Sequence, residues 1–408
     1  MSAMVRMTGV ALTAVLAVAP ATAHAVDRDD AQSTQLISRS IHGGLPNGPS
    51  TNAVISSDRR YARIIAFESD ASDLVHGDSN GVKDLFAIKR TGRVDNVGGG
   101  WRGRPATLVS RGYDGAPANG PSWGASVSGN FRHKARCIGF LSGASNLVRG
   151  DTNNLVDAFL VKRAGASAKR MTLPRGVQPI AAATAVSVSG DCSRISFVSG
   201  GQLYTRKGSK TKRVKAAWPV SHPSYAVGAS TSLVFQGPAG VYLSRAGTRK
   251  PRLVAPGGAN PAFNDLKRRT LAYEKHRDGY SQIFYKDLGR RETVISGRGR
   301  RAGDGNSYNP VIGNSGYYVT FQSEATNLGV NALGRIGDYN GRPDAYLFTD
   351  VRDLTLVQSV EEKAVPLPGG GQNPSMSYYA NYVVFDSPAP MGVGSGQHQV
   401  YMRYLGPV

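Results

Sequence analysis

The stretch Arg63–Arg90, "RIIAFESDASDLVHGDSNGVKDLFAIKR", decides the fold because the chain contains it more than once. Arg136–Arg163, "RCIGFLSGASNLVRGDTNNLVDAFLVKR", matches it without a gap, and Tyr317–Asp350, "YYVTFQSEATNLGVNALGRIGDYNGRPDAYLFTD", matches it with an insertion. Each copy runs from an apolar segment ending Phe-x-Ser, through a polar Gly-Asp-x-Asn loop, into a second apolar segment that opens with Asp. Outward from this centre the likeness continues: "LISRS" at Leu36, "LVSRG" at Leu108 and "VISGR" at Val294 precede the three copies, followed by "NGPS" or "GNSYNP". Shorter copies without the long loop begin at Val186, Ser224, Asn260 and Asn373. Seven units result, with a period of about 35 to 60 residues, the range of propeller blades.

Each unit reads as four short strands. The segment after Asn-Pro or Gly-Pro-Ser is strand A, the "RIIAF" type is B, the "DLFAIKR" type is C and the "TLVS" type is D. Four antiparallel strands per unit make a blade. The ends fit a closed ring, because Gln35–Ser38 is a D-type strand with no unit before it, and the chain ends after the C-type strand Val400–Arg403. Strand 35–38 is therefore predicted to pair beside 399–404, which removes the open edges of an unclosed array.

The unit "N-P-x-x-S … [VI]-[VA]-F-x-S … D-[LAI]-[FY]" resembles the TolB-like (PD40, or WD40-like) propeller repeat of exported bacterial proteins. The resemblance covers essentially all of the chain after its leader and implies an all-β, seven-bladed propeller of four-stranded blades. It implies little about activity, because propellers host scaffolding, binding and catalysis alike. The family's strict Asp-Gly turn between strands A and B survives only loosely, as Ser57-Asp58-Arg59 and Gly190-Asp191-Cys192.

Residues 1–25 carry Arg6, an apolar run from Val10 to Val18 and the small-x-small site Ala23-His24-Ala25, the pattern of a cleavable secretory signal peptide. A short segment, 26–34, then leads into a single propeller domain, 35–408. No later stretch approaches the roughly 18 apolar residues of a membrane span. The expectation is a secreted or envelope-associated protein without a transmembrane segment, and a monomer.

The net charge of +21 favours anionic partners. In a blade the A–B and C–D turns lie on one face, and the basic residues concentrate in them. The candidate anion-binding face comprises Arg206, Lys207, Lys210, Lys212, Arg213 and Lys215 in the third unit, and Lys267, Arg268 and Arg269 in the fifth. The competing explanation is that turns collect Lys and Arg because turns are wet. The turns show no aromatic interleaving of the kind that stacks bases, which disfavours nucleic acid.

The Gly-Asp-x-Asn loops lie on the opposite face. Asp78, Asn80 and Asp84, with Asp151, Asn153 and Asp157, and Asp338, Asn340 and Asp344, supply hard oxygens in the order that opens calcium loops. Gly81 and Gly341 would permit the tight turn. Val82, Leu155 and Pro343 stand where a further acidic ligand is usual, so outside oxygens from Asp73, Asn146 or Asn327 would be needed. The other reading is an Asx turn, with the first Asp capping backbone amides and the last fixing the strand entry. Recurrence within a repeat favours the turn, and calcium stands as the only candidate cofactor.

Cys137 and Cys192 are the only cysteines, and in an exported chain a pair suggests one disulfide. Counted back from Phe140 and Phe197 they lie three and five residues away. Regular strands would then point both to the same side of their blades, whereas a bridge between adjacent blades needs them to face each other, so the pairing stays open.

No catalytic residue set emerges. His42, His76, His133, His222, His276 and His398 come from different units with no metal-ligand spacing, and only His222 falls where a central channel is expected. No Gly-x-Ser-x-Gly elbow occurs. The sequence favours a non-catalytic scaffold binding a protein or an anionic envelope polymer. The rival is a lyase or hydrolase acting on an acidic glycan in the channel. A channel lined by converging His, Glu or Tyr would favour the enzyme, and small, apolar lining the scaffold.

Overall fold

The computed structural model describes residues 34–58, 62–91, 101–162, 166–171, 181–228, 231–245, 250–266, 268–298, 301–313, 316–328, 340–350, 354–357, 367–388 and 396–405. The signal-peptide expectation lies outside these residues, as do Asp338 and Lys267. Among the described residues there is no helix, and hence none long and apolar enough to cross a membrane.

Seven four-stranded antiparallel sheets form the blades. Closure is as the ends of the sequence predict: β1 (Thr34–Leu36) joins the last blade as its outer strand, with Gln35 opposite Met402 and Leu36 opposite Tyr401. Blade 1 is β2 (Ser50–Ile55), β3 (Ile64–Ser69), β4 (Asp84–Lys89) and β5 (Thr107–Leu108). Blade 2 is β6 (Ser122–Val127), β7 (Ile138–Ser142), β8 (Asp157–Val161) and β9 (Lys169–Arg170). Blade 3 is β10 (Ala183–Val188), β11 (Ile195–Ser199), β12 (Gln202–Lys207) and β13 (Lys210–Arg213). Blade 4 is β14 (Ser221–Tyr225), β15 (Ser232–Gly237), β16 (Gly240–Arg245) and β17 (Arg252–Pro256). Blade 5 is β18 (Ala259–Asp265), β19 (Arg269–Arg277), β20 (Tyr280–Asp287) and β21 (Thr293–Val294).

A small hairpin, β22 (Gly297–Arg298) and β23 (Arg301–Ala302), leads into blade 6. That blade is β24 (Ser307–Ile312), β25 (Tyr318–Ser323), β26 (Asp344–Thr349) and β27 (Leu354–Val357). β28 (Gln372–Met376), β29 (Tyr382–Ser387) and β30 (Gln399–Tyr404) complete blade 7 with β1.

The aromatic residues of the repeat explain why each blade holds together. The Phe or Tyr of strand B faces the aromatic of strand C directly across the ladder, as in Phe67–Phe86, Phe140–Phe159, Phe321–Tyr346 and Phe385–Tyr401. Those rings stack at centroid distances of 5.6 to 6.1 Å. The three remaining blades have Phe197–Tyr204, Phe235–Tyr242 and Tyr273–Phe284 in the same place. Such cross-strand pairs bury large apolar area and fix register at once.

Strand A departs from the expected reading. The Asn-Pro pairs lie inside it rather than before it: Asn309-Pro310 falls within Ser307–Ile312, where the register slips by a residue. The slipped residue takes a left-handed backbone in Asn52 (φ 53°), Gly124 (φ 67°), His222 (φ 47°), Asn260 (φ 43°), Asn309 (φ 54°) and Asn373 (φ 49°). Asn and Gly tolerate this region best, which accounts for the Asn of the motif.

The bulge serves the joint between blades. Its freed amide donates to the polar residue that follows the strand-B aromatic in the preceding blade: Asn52 to Asp386 (3.2 Å), Gly124 to Glu68 (2.9 Å), Asn309 to Glu274 (2.7 Å) and Asn373 to Gln322 (3.2 Å). Blades 2 and 3 carry Leu141 and Val198 at that position, which cannot accept. Between these two blades a disulfide, Cys137–Cys192, is formed instead, with Cα atoms 6.0 Å apart. The parity argument fails because Cys192 sits in a turn with φ 58°, which swings its side chain towards the neighbouring blade.

Candidate functional site

The Gly-Asp-x-Asn loops are built as clasps. In blade 1 the Asn80 amide donates to Asp84 (2.5 Å) and to the Ala118 carbonyl (2.8 Å), while its own carbonyl accepts from the Val82 backbone amide (3.2 Å). Ser110 donates to the other Asp84 oxygen (2.5 Å) and accepts from the Leu85 amide (2.9 Å). The loop thus ties strand C to its own strand D and to the connection that enters blade 2. In blade 6 Asn340 donates to Asp344 and to the Leu367 carbonyl (2.8 Å) in the same way. The turn residue is Gly81 (φ 67°), Asn154 (φ 52°) or Gly341 (φ 61°), as the tight turn requires.

Two shorter blades perform the same task with one residue. Gln282 and Gln399 occupy the position of Asp84 at the start of strand C. Gln282 accepts from Ser296 (2.7 Å) and donates to the Gly303 and Gly305 carbonyls (3.1 Å each). Gln399 accepts from Ser38 (2.8 Å) and donates to the Gly48 carbonyl (3.1 Å). An aspartate lacks the amide hydrogens, so the long blades add an asparagine to supply them.

In blades 1 and 2 the described loop residues are engaged in hydrogen bonds and an ion pair that compete with calcium. Two acceptors surround the Asn80 nitrogen, so its amide presents N–H rather than oxygen to Asp84. In blade 2 the Arg170 guanidinium lies 2.8 Å from Asp151 and 3.4 Å from Asp157, where a cation would sit. The outside oxygens are also engaged: Asp73, Asn146 and Asn327 accept from the backbone amides of Asn47 (3.0 Å), Asn119 (2.9 Å) and Asp304 (3.2 Å). Among the described residues no three His, Cys, Asp or Glu side chains gather as a metal-binding group. Burial pushes the Asp84 carboxyl up to about 6, partly offset by the Ser110 and Asn80 hydrogen bonds and reinforced by nearby Asp78. Asp78 and Asp151 are also raised by burial, the latter held back by Arg170.

The central channel is lined chiefly by small and apolar residues among those described. Its cavity of about 260 Å³ is lined by strand-A residues, among them Val54, Ser126, Val186, Ser187, Ser224, Val311, Ser375 and Met376. Tyr225 is the only titratable residue in that lining, and burial holds its phenol well above the usual range. The sequence placed only His222 near the channel. The structure adds His398, which lies 3.2 Å from Asp386, the carboxylate that holds the Asn52 bulge of innermost strand β2. His222 is exposed and contacts Ser221 (3.0 Å). The two histidines belong to blades 4 and 7 and have separate partners, Ser221 and Asp386.

The basic residues divide into two groups. Arg268 is locked by ion pairs to Asp287 (2.8 Å) and Asp350 and lies over the Tyr317 ring (5.0 Å). Arg269 pairs with Asp265 (3.0 Å). Arg206 is half-buried, which lowers its pKa, and spends hydrogen bonds on Gly208 (3.0 Å) and Met171 (3.4 Å). By contrast Lys207, Lys210, Lys212, Arg213 and Lys215 are exposed on the β12–β13 hairpin, and no ion pair engages them among the described residues.

The expected absence of aromatics from the basic turns needs correction. Phe131 (44% exposed) stands beside Arg132, His133 and Lys134 in the β6–β7 turn, and its ring lies 5.7 Å from Tyr378 in the β28–β29 turn. Tyr378 packs edge-on against Tyr379 at 4.2 Å, and Tyr317 (38% exposed) stands in the β24–β25 turn. These rings come from three blades, and only Phe131 has cations directly beside it in sequence.

Comparison with known proteins finds distant likenesses in structure and none in sequence. No protein-family model matches the chain, and no curated protein matches it in sequence. Among solved structures it is similar to TolB from Acinetobacter baumannii, at 12% identity over 90% of this chain and 82% of that one, with a TM-score of 0.40. It is similar to the β-propeller domain of the trilobed protease from Pyrococcus furiosus, at 9% identity over 88% and 94%, with a TM-score of 0.48. The acylaminoacyl peptidase of Pyrococcus horikoshii is similar at 12% identity over 85% of this chain and 52% of that one, with a TM-score of 0.45. The blade count rests on the strand pairing above: the protein is a seven-bladed propeller.

Proposed function

We propose that this propeller is a non-catalytic scaffold, working outside the cytoplasm, that binds an anionic polymer of the cell envelope through its third blade. The observation that carries the reading is the β12–β13 hairpin, which presents five exposed cationic side chains with no ion pair among the described residues. On an edge strand lysines also deter pairing with other chains, but that role needs one or two charges, not five. Concentrated charge of one sign raises the local concentration of an anionic partner and speeds its association. The Cys137–Cys192 bridge supports an oxidising, extracytoplasmic location. The small-residue lining of the channel supports binding over catalysis.

The test is retention on immobilised envelope polymer under a salt gradient. Replacing Lys207, Lys210, Lys212, Arg213 and Lys215 by glutamine should abolish retention without changing the melting temperature. Unaltered retention would refute the hairpin's role, and retention that ignores salt would refute the electrostatic reading.

A further inference from the structure

We infer that the side of the β12–β13 hairpin turned towards blade 4 recognises phosphodiester groups through Lys207, Lys210 and Lys212, so that the polymer is a polyol phosphate rather than a carboxylated glycan. This inference rests on the proposed polymer-binding function and names the substrate class of the same hairpin.

The hairpin has two chemically different sides. Leu203 of β12 belongs to an apolar cluster with Leu233, Phe235 and Tyr242 of blade 4, whereas Tyr204 packs with Leu141 and Ala158 of blade 2. Side chains alternate along a strand, so Thr205 and Lys207 follow Leu203 on the blade-4 side and Arg206 follows Tyr204 on the other. Arg206 keeps to this alternation, because its guanidinium donates to the Met171 carbonyl just after β9 of blade 2 (3.4 Å). In the ladder Lys207 stands opposite Lys210, Thr205 opposite Lys212 and Tyr204 opposite Arg213. Residues directly opposite share a face, so the three lysines project on the blade-4 side and Arg213 on the other. The Cβ atoms of an opposed pair lie about 5 Å apart, and Lys212 stands about 7 Å along the strand from Lys210.

The surroundings supply almost no countercharge. Between Asp157 and Asp265 the sequence holds a single acidic residue, Asp191, so neither blade 4 nor any turn between blades 3 and 4 carries a carboxylate. Asp191 accepts from the Ser189 hydroxyl (2.7 Å) and the Ser193 amide (3.0 Å) within its own turn. Like charges directly opposite each other weaken a ladder, so an anion held between Lys207 and Lys210 relieves a repulsion built into the hairpin.

The choice of lysine points to phosphate. A carboxylate is met best by the planar fork of arginine, whereas the ammonium is a compact point charge with three donors that suits the outward-facing oxygens of a phosphate. Arginine is absent from the blade-4 side of the hairpin: Arg206 and Arg213 both lie on the opposite side. The carboxylates of an extended uronide project from successive rings on alternate sides, so a one-sided row of cations reaches only some of them. A flexible polyol phosphate can turn each of its charges to the same side. Nucleic acid adds bases that stack on aromatic rings, and the one aromatic residue of the two strands, Tyr204, faces blade 2.

The experiment measures the affinity of the full-length mature protein for a glycerol phosphate oligomer, an oligouronide of equal charge and a duplex oligonucleotide, each across a salt series. The parent should bind the polyol phosphate most tightly. Lys207→Gln combined with Lys210→Gln should weaken that binding by roughly tenfold and flatten the salt slope by about two ion equivalents. Arg213→Gln combined with Lys215→Gln removes equal charge from the rest of the hairpin and should weaken it by only about threefold, and both pairs should keep the parental melting temperature. Equal or tighter binding of the oligouronide would overturn the phosphate assignment while leaving the polymer-binding function standing. Equal losses from the two pairs would overturn the assignment to the blade-4 side, and equal binding of the duplex would overturn the inference in favour of nucleic acid. A parent that binds none of the three would overturn the polymer-binding function with it.

Discussion

At the scale of single residues, Asp84 shows how a motif that reads as a metal site serves as a joint. Its carboxylate is fully buried and takes hydrogen bonds from Ser110 and Asn80, yet desolvation still lifts its pKa to about 6. A folded-state pKa above the unfolded value means that the folded protein binds more protons between about pH 4 and 6. Asp84 therefore lowers stability as pH rises through that window, by at most about 3 kcal/mol. Asp84→Asn should gain stability relative to the parent between pH 4 and pH 7 in urea unfolding, and a constant difference would show that Asp84 does not titrate there. The melting temperature should be the same with calcium as with a chelator, because the Asn80 nitrogen already faces Asp84. A calcium-dependent rise would restore the metal reading. The sequence offered both readings of this loop, and the choice depended on which atom of Asn80 faces Asp84, a matter of orientation that composition cannot express.

At the scale of elements, the joints between blades follow a chemical rule. The aspartate and asparagine of a long blade equal the single glutamine of a short one. Asn80→Ala should cost about 1 to 2 kcal/mol by leaving buried acceptors unpaired. Adding Asp84→Gln should recover most of that loss, and no recovery in the double variant would break the equivalence. The disulfide stands at a junction where the strand-B acceptor is replaced by Leu141. Closing a loop of sequence separation 55 restrains the unfolded chain by about 4 kcal/mol in the chain-entropy treatment. Changing both cysteines to serine should lower the melting temperature markedly, and an unchanged melting temperature would show that the bridge is dispensable. The period-two pattern and the paired aromatics made strands B and C legible in the sequence. The acceptors Glu68, Glu274, Gln322 and Asp386 were overlooked, although a polar residue between a buried Phe or Tyr and the strand end was the signal available.

At the scale of the whole molecule, seven blades and the closure by β1 were legible because repetition averages over weak local signals and because the unpaired ends complement each other. The division of charge was only half legible. Sequence located the cations of blades 3 and 5 alike, but only the structure shows that Arg268 and Arg269 are neutralised by Asp287, Asp350 and Asp265 while the blade 3 hairpin is not. The contact of Phe131 with Tyr378 was invisible for the same reason, since blades 2 and 7 meet only after the propeller closes. The proposed function therefore centres on the β12–β13 hairpin, whose five exposed cations make no ion pair among the described residues. The most direct measurement is the salt dependence of affinity for an anionic polymer, taken for the parent and for the glutamine-substituted hairpin. The parent should show a steep linear fall of log affinity with log salt, and the variant a slope shallower by several ion equivalents. Equal slopes for the two proteins would contradict the account.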